Sequence, residues 1–177
     1  MLKSILTLLV FIFLIDVAAF SQPMEKNNAG IRWTSFEEAV RQNQQQRKKV
    51  FIHFYTDWCG WCKRMDATTF QDPSIVSYMK ANFYAVKFNA ETHDTITYKG
   101  KDFLFLEKYK ANELAVLMLK SSMSYPTCVY LDEELNEIGP VPGYLTAEQL
   151  LPVLKYFSDD IYKTKVWEDY MKENFSR

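Results

Sequence analysis

The apolar positions along this chain follow two rhythms. Unbroken runs of five or six predict buried strands, and recurrences every three or four residues predict helices. Val50-Phe51-Ile52-His53-Phe54-Tyr55 is the strongest strand signal, apolar and aromatic as a central strand covered on both faces must be. Phe83 to Phe88 and Thr127 to Leu131 repeat the pattern, and Glu137 to Val141 predicts a short fourth strand, antiparallel to its neighbour. Between them lie helix signals. Thr34 with Glu37, or Ser35 with Glu38, offers a capping box for a helix through about Gln46. Phe36, Ala39 and Val40 form its inward face, and the polar stretch from Gln42 to Lys49 reads as solvated. A helix is expected from Gly60 to Ala67. Another follows Asp72, which can cap it with Pro73 at the first helical position. Thr95 to Tyr98 and Lys101 to Phe103 read as a hairpin about Lys99-Gly100. Leu104–Tyr109 and Glu113–Lys120 have helical spacing. Thr146 caps a helix from Ala147 to Phe157. Ile161, Tyr162, Val166, Tyr170 and Met171 predict one more amphipathic helix. This alternation predicts an α/β architecture: a mixed central sheet of four to five strands flanked by helices. The hairpin insertion and the C-terminal helix are additions to it.

The opening residues follow a different rule. Lys3 precedes an apolar run from Ile5 to Ile15, and Ala19-Phe20-Ser21 offers small residues where a signal peptidase reads. The expectation is a signal peptide over 1–21, a flexible arm over 22–30 and a single domain over 31–177. A cut after Ala19 and an uncleaved anchor are the alternatives. Against the anchor, the run is short for a span and Asp16 interrupts it. Export to a periplasmic or secreted location follows from the first reading.

Composition narrows the function. With 177 residues, 48% hydrophobic, the chain is long enough for one core and short for two. Its 21 basic and 22 acidic residues give a net charge of −1, so no basic surplus points to nucleic acid. Three cysteines exclude a dense disulfide scaffold.

Two of those cysteines carry the chemistry. Cys59 and Cys62 follow the strongest strand and open the Gly60–Ala67 helix. A thiol at a helix N-terminus ionises below its free pKa of about 8.5, because orphan N–H groups and the helix dipole favour the anion. Cys59 is the expected exposed nucleophile. Cys62, one turn on and more buried, is the expected resolving thiol. Half a zinc site is the bland reading of the pair, but no second Cys-x-x-Cys or paired histidine completes four ligands. No metal and no bound cofactor are expected beyond the redox-active Cys59–Cys62 disulfide. Cys128 reads as a small buried hydrophobe, with a third redox thiol as the sharper alternative. Pro126, before the Thr127 strand, is either an ordinary trans start or a cis peptide. Composition alone favours trans.

Trp58-Cys59-Gly60-Trp61-Cys62-Lys63 resembles the active site of the thioredoxin superfamily, Trp-Cys-Gly-Pro-Cys-Lys. Tyr125-Pro126-Thr127 resembles its cis-proline loop, Val86-Lys87-Phe88-Asn89 its second central strand, and Gly143 the glycine of its substrate groove. Order and spacing agree from about Ile31 to Phe157. The resemblance implies the thioredoxin fold, a cis Pro126, a substrate groove at Trp58, Gly60, Trp61, Tyr125, Pro126 and Gly143, and Cys59 as the attacking thiolate. Three departures stand out. Trp61 replaces proline. His53 occupies the position of a buried aspartate that manages the second cysteine's proton. The Ala90–Asp102 insertion and the C-terminal helix are extra. His53 with Lys87 is the candidate proton-management pair, and a core histidine with a satisfied hydrogen bond is the alternative.

The function expected is an exported thiol–disulfide oxidoreductase. It would reduce protein or peptide disulfides and draw electrons from a membrane or exported dithiol donor. A peptide or protein interaction module with a structural disulfide, and a disulfide oxidase or isomerase, are the competing readings.

Overall fold

The computed structural model describes residues 30–175. The expected signal peptide, and all of the expected arm except Gly30, lie outside the described residues. A five-stranded sheet forms the centre. Its strands are β1 (Trp33–Thr34), β2 (Lys49–Tyr55), β3 (Phe83–Asn89), β8 (Thr127–Leu131) and β9 (Glu137–Pro142), in the order β1-β3-β2-β8-β9. β1 and β2 run parallel to β3, whereas β8 is antiparallel to β2, and β9 to β8. The sheet is therefore mixed, as expected. Pro140 and Pro142 fit β9 because it is an edge strand with one free side.

β2 sits in the middle, and its alternation divides the core. Val50, Ile52 and Phe54 join Phe36, Val86, Leu114 and Val129 in one cluster. Helices α1 (Phe36–Gln45) and α4 (Glu113–Met118) supply that layer. Phe51 joins Met65, Phe70, Met79, Tyr130 and Leu154 in the other. Helices α2 (Gly60–Ala67), α3 (Pro73–Asn82) and α5 (Ala147–Ser158) supply that one.

Local chemistry sets most helix starts. Ser35, rather than Thr34, caps α1 by accepting the Glu38 N–H at 3.2 Å. Asp72 caps α3 with Pro73 in its first turn, and Thr146 and Gln149 close a reciprocal capping box on α5. The insertion contains the expected hairpin, β4 (Ile96–Tyr98) and β5 (Lys101–Phe103), turning through Lys99 and Gly100 at positive φ. Ile96, Tyr98 and Phe103 are buried in the Phe36 cluster, so the insertion covers core.

Three expectations are corrected, and one strand is new. The Gln42–Lys49 stretch is not uniformly solvated, because Asn43 is fully buried and Lys49 is 3% exposed. Asn43 donates to the Lys48 and Glu133 carbonyls, and the Lys49 ammonium meets Glu133 at 2.6 Å and Asp160 at 2.9 Å. Leu104–Tyr109 is not helical. It holds β6 (Phe105–Leu106) and a tight turn into β7 (Ala111–Asn112), with Lys110 at positive φ. Its apolar spacing buries little, since Leu104 is 53% exposed. The C-terminal helix is broken: a 3-10 turn at Ile161–Lys163 precedes α6 (Trp167–Phe175), and Asp160 is left-handed. The Tyr156 hydroxyl donates to the Lys165 carbonyl at 2.7 Å across the break. Finally, β1 carries no signal in the sequence, being two residues long.

Candidate active site

β2 delivers the chain to the surface, and α2 takes it back. Between them the Cys59 N–H donates to the Thr56 carbonyl at 3.2 Å, turning the backbone. Cys59 is the N-cap of α2, with extended backbone. Its Sγ accepts the Cys62 N–H at 3.0 Å, so the sulfur occupies the place that a serine or aspartate oxygen takes in an ordinary cap. Cys59 and Cys62 form a disulfide, with Cα atoms 5.3 Å apart. No acidic residue lies in the first turn of α2, so nothing there opposes negative charge on that sulfur.

Cys62 is 1% exposed. Cys59 is 4% exposed and is not the open sulfur expected from the sequence. The cause is its capping role, which folds the sulfur back onto the helix end instead of out to solvent. Among the described residues, no group of three His, Cys, Asp or Glu side chains is placed to hold a metal ion.

Exposed aromatic rings flank the disulfide. Trp58 is 67% exposed; its indole N–H donates to Glu91 at 2.8 Å, and its ring meets Tyr125 edge-on at 5.9 Å. Trp61 is 57% exposed and lies 5.3 Å from the Tyr144 ring. The Tyr125–Pro126 peptide is cis, not the trans start that composition alone favours. The Pro126 carbonyl accepts the Gly143 N–H at 2.8 Å, which ties this loop to the end of β9. Gly143 has φ +97°, a conformation glycine adopts without a steric penalty. At both Gly143 and Gly60 a Cβ would meet no atom within 4 Å, but Gly60 has no left-handed φ.

A model of the thioredoxin-like domain matches residues 36–158. The chain belongs to this family. Among its relatives is the thiol:disulfide interchange protein DsbD of Haemophilus ducreyi, 27% identical over 134 residues. That match covers 74% of this chain but 20% of the relative. The disulfide bond reductase DsbH of Chlamydia pneumoniae is 24% identical over 121 residues, covering 65% of this chain and 66% of the relative. A solution structure of a thioredoxin from Thermus thermophilus superposes with a TM-score of 0.54 at 19% identity, covering 84% of this chain and 98% of that one. This likeness shows the thioredoxin fold.

Within this thioredoxin-like domain, His53 departs from the alternative reading of a core histidine with a satisfied hydrogen bond. It is fully buried on β2, opposite Lys87 of β3 and Cys128 of β8. Phe70 meets its ring edge-on at 5.0 Å, and Tyr55 stacks at 6.3 Å. Neither ring nitrogen has a hydrogen-bond partner, so it is not the satisfied core histidine of the alternative reading. Burial first, and the Lys87 charge second, push its pKa down to about 3. His53 is therefore a neutral imidazole at ordinary pH. The Lys87 ammonium is itself committed to Asp66 at 2.7 Å and sits 4.9 Å from the Tyr55 ring. Cys128 is fully buried, and burial pushes its thiol pKa up, which suits a packing residue and not a nucleophile.

Sequence reasoning missed Glu91, Arg64, Asp66 and Tyr144 around this site. Asp66 and Arg64 follow the cysteines on α2 without a recognisable motif. Glu91 and Tyr144 arrive from the ends of other elements, so only the fold brings them in.

Proposed function

We propose that this chain is an exported thiol–disulfide oxidoreductase that reduces protein disulfides. The observation that carries this reading is the Cys59 sulfur capping α2 while bonded to Cys62. A sulfur accepting a helix N–H is stabilised as an anion once the disulfide is reduced. The Cys59 thiolate then attacks one sulfur of a client disulfide, and the client's other sulfur leaves as a thiolate. Cys62 loses its proton and attacks the Cys59 sulfur of the mixed disulfide. The second client thiolate departs and the Cys59–Cys62 disulfide reforms. Two electrons pass to the client, whose thiolates take up two protons. An exported or membrane dithiol returns two electrons to the pair. The exchange needs no metal and no bound cofactor.

The remaining candidates take supporting roles. Trp58, Tyr125, Pro126, Gly143, Gly60 and Trp61 form the surface against which the client lies. The neutral His53, kept unprotonated by burial first and by Lys87 second, is the proton-management candidate. The names of the relatives support protein disulfides as substrates, and the signal-peptide pattern at residues 1–21 supports export.

The 4% exposure of Cys59 favours one competing reading, an interaction module with a structural disulfide. Insulin reduction by the chain with dithiothreitol separates the two. The oxidoreductase accelerates insulin precipitation over reagent alone and loses that acceleration in Cys59→Ser. No acceleration by the unmodified chain leaves the module.

A further inference from the structure

Arg64 follows the second cysteine by two residues and spends its charge in an unusual way. Its guanidinium lies 5.5 Å from the Trp61 ring centre and 5.8 Å from that of Tyr144. The Tyr144 hydroxyl is in turn 3.2 Å from the Thr68 hydroxyl oxygen on the same helix end. Among the described residues no carboxylate is ion-paired with Arg64, and nearby Asp66 is engaged by Lys87. Two aromatic faces therefore hold an exposed cation in place without neutralising it. Such a guanidinium is pre-organised as a planar fork, the geometry that binds a carboxylate through two parallel hydrogen bonds.

The other flank of the disulfide has the opposite sign. Asp57, Glu91 and Glu107 line a cavity of about 420 Å³ on the Trp58 side, where three carboxylates face the single ammonium of Lys110 and the His93 ring. Negative charge on a bound chain thus has one favourable side. Trp61 stands between the two cysteines in sequence, so the cationic flank is continuous with the place where disulfide exchange occurs.

We propose that Arg64, held by Trp61 and Tyr144, selects client chains that carry a carboxylate beside the target cysteine. The inference rests on the oxidoreductase reading and adds the substrate's charge to it. Trp61 then contributes specificity as well as occupying the family's proline position.

The test compares disulfide-linked peptides of one length whose residues flanking the cysteine are Glu, Gln or Lys. Reduction by the full chain is read as kcat/KM. Exposed single-charge contacts lead us to expect a preference for Glu over Lys of roughly threefold at low salt, fading at high salt. Arg64→Lys keeps the order Glu, Gln, Lys; Arg64→Gln removes it; and Arg64→Glu inverts it. Equal rates for the three peptides with the unmodified chain, or an unchanged preference in Arg64→Gln, overturn the proposal. Hydroxyethyl disulfide, which has no charge, is tested with the unmodified chain alongside. If it is reduced while the peptides show no order, only the charge selection fails. If it and the peptides are all left intact, the oxidoreductase reading fails first.

Discussion

A neutral imidazole with two unpaired nitrogens is expensive to bury, and His53 bears that cost in the middle of β2. The consequence is a pH dependence. An unfolded histidine takes up a proton near pH 6.5, whereas folded His53 resists protonation down to about 3. Between those values the unfolded state binds more protons. Stability therefore falls as pH drops, by at most roughly 1.4 kcal/mol per pH unit from this one group. Denaturant midpoints measured from pH 7 to pH 4 should show that slope, and His53→Phe should flatten it, because the ring sits among Phe70, Tyr55 and Trp33. Equal slopes in the two proteins would place the acid sensitivity elsewhere. Gly143 makes a simpler case. Alanine at φ +97° is strained, so Gly143→Ala should lose at least about 1 kcal/mol in chemical denaturation. Gly60→Ala, at a position without a left-handed φ, should lose far less. At this scale the sequence showed which residues matter around the cysteines and little about their surroundings. That His53 lacks partners could not be read from one strand, because its neighbours come from β3, β8 and the turn at Phe70.

Elements were legible where their signals are local. The caps at Ser35, Asp72 and Thr146 place three helix starts, because a cap needs only residues within one turn. Ser35→Ala should cost about 1 kcal/mol, read as a shift in the denaturation midpoint, since the Glu38 N–H loses its acceptor. Elements closed by distant partners were not legible. Lys49 looks like the end of a solvated loop, yet it begins β2 with its ammonium between Glu133 and Asp160. Those carboxylates are partly exposed, which softens the loss of their partner. Lys49→Met should therefore destabilise by about 1–2 kcal/mol, less than a fully buried pair would. Residues 104–109 show the converse failure. Helical spacing of apolar side chains carries no weight when the segment lies at the surface and its backbone bonds close a hairpin, as the Glu113 N–H does on the Leu104 carbonyl.

For the whole molecule, the fold was readable because β2, β3 and β8 are continuous apolar runs with helices between them. The order β1-β3-β2-β8-β9 follows from no single run. It brings the cap of α2, the Pro126 loop and Gly143 together, and this assembly is what the active-site proposal depends on. The chemistry requires that reduced Cys59 be an ionised, reachable sulfur. Its most direct test is the pH dependence of iodoacetamide alkylation of the reduced chain, with the labelled cysteine located by mass. Cys59 should be labelled first, with a midpoint well below the ordinary thiol value of about 8.5, while Cys62 and Cys128 stay slow. A Cys59 midpoint at or above that value, or no labelling of Cys59 until the chain unfolds, would contradict it.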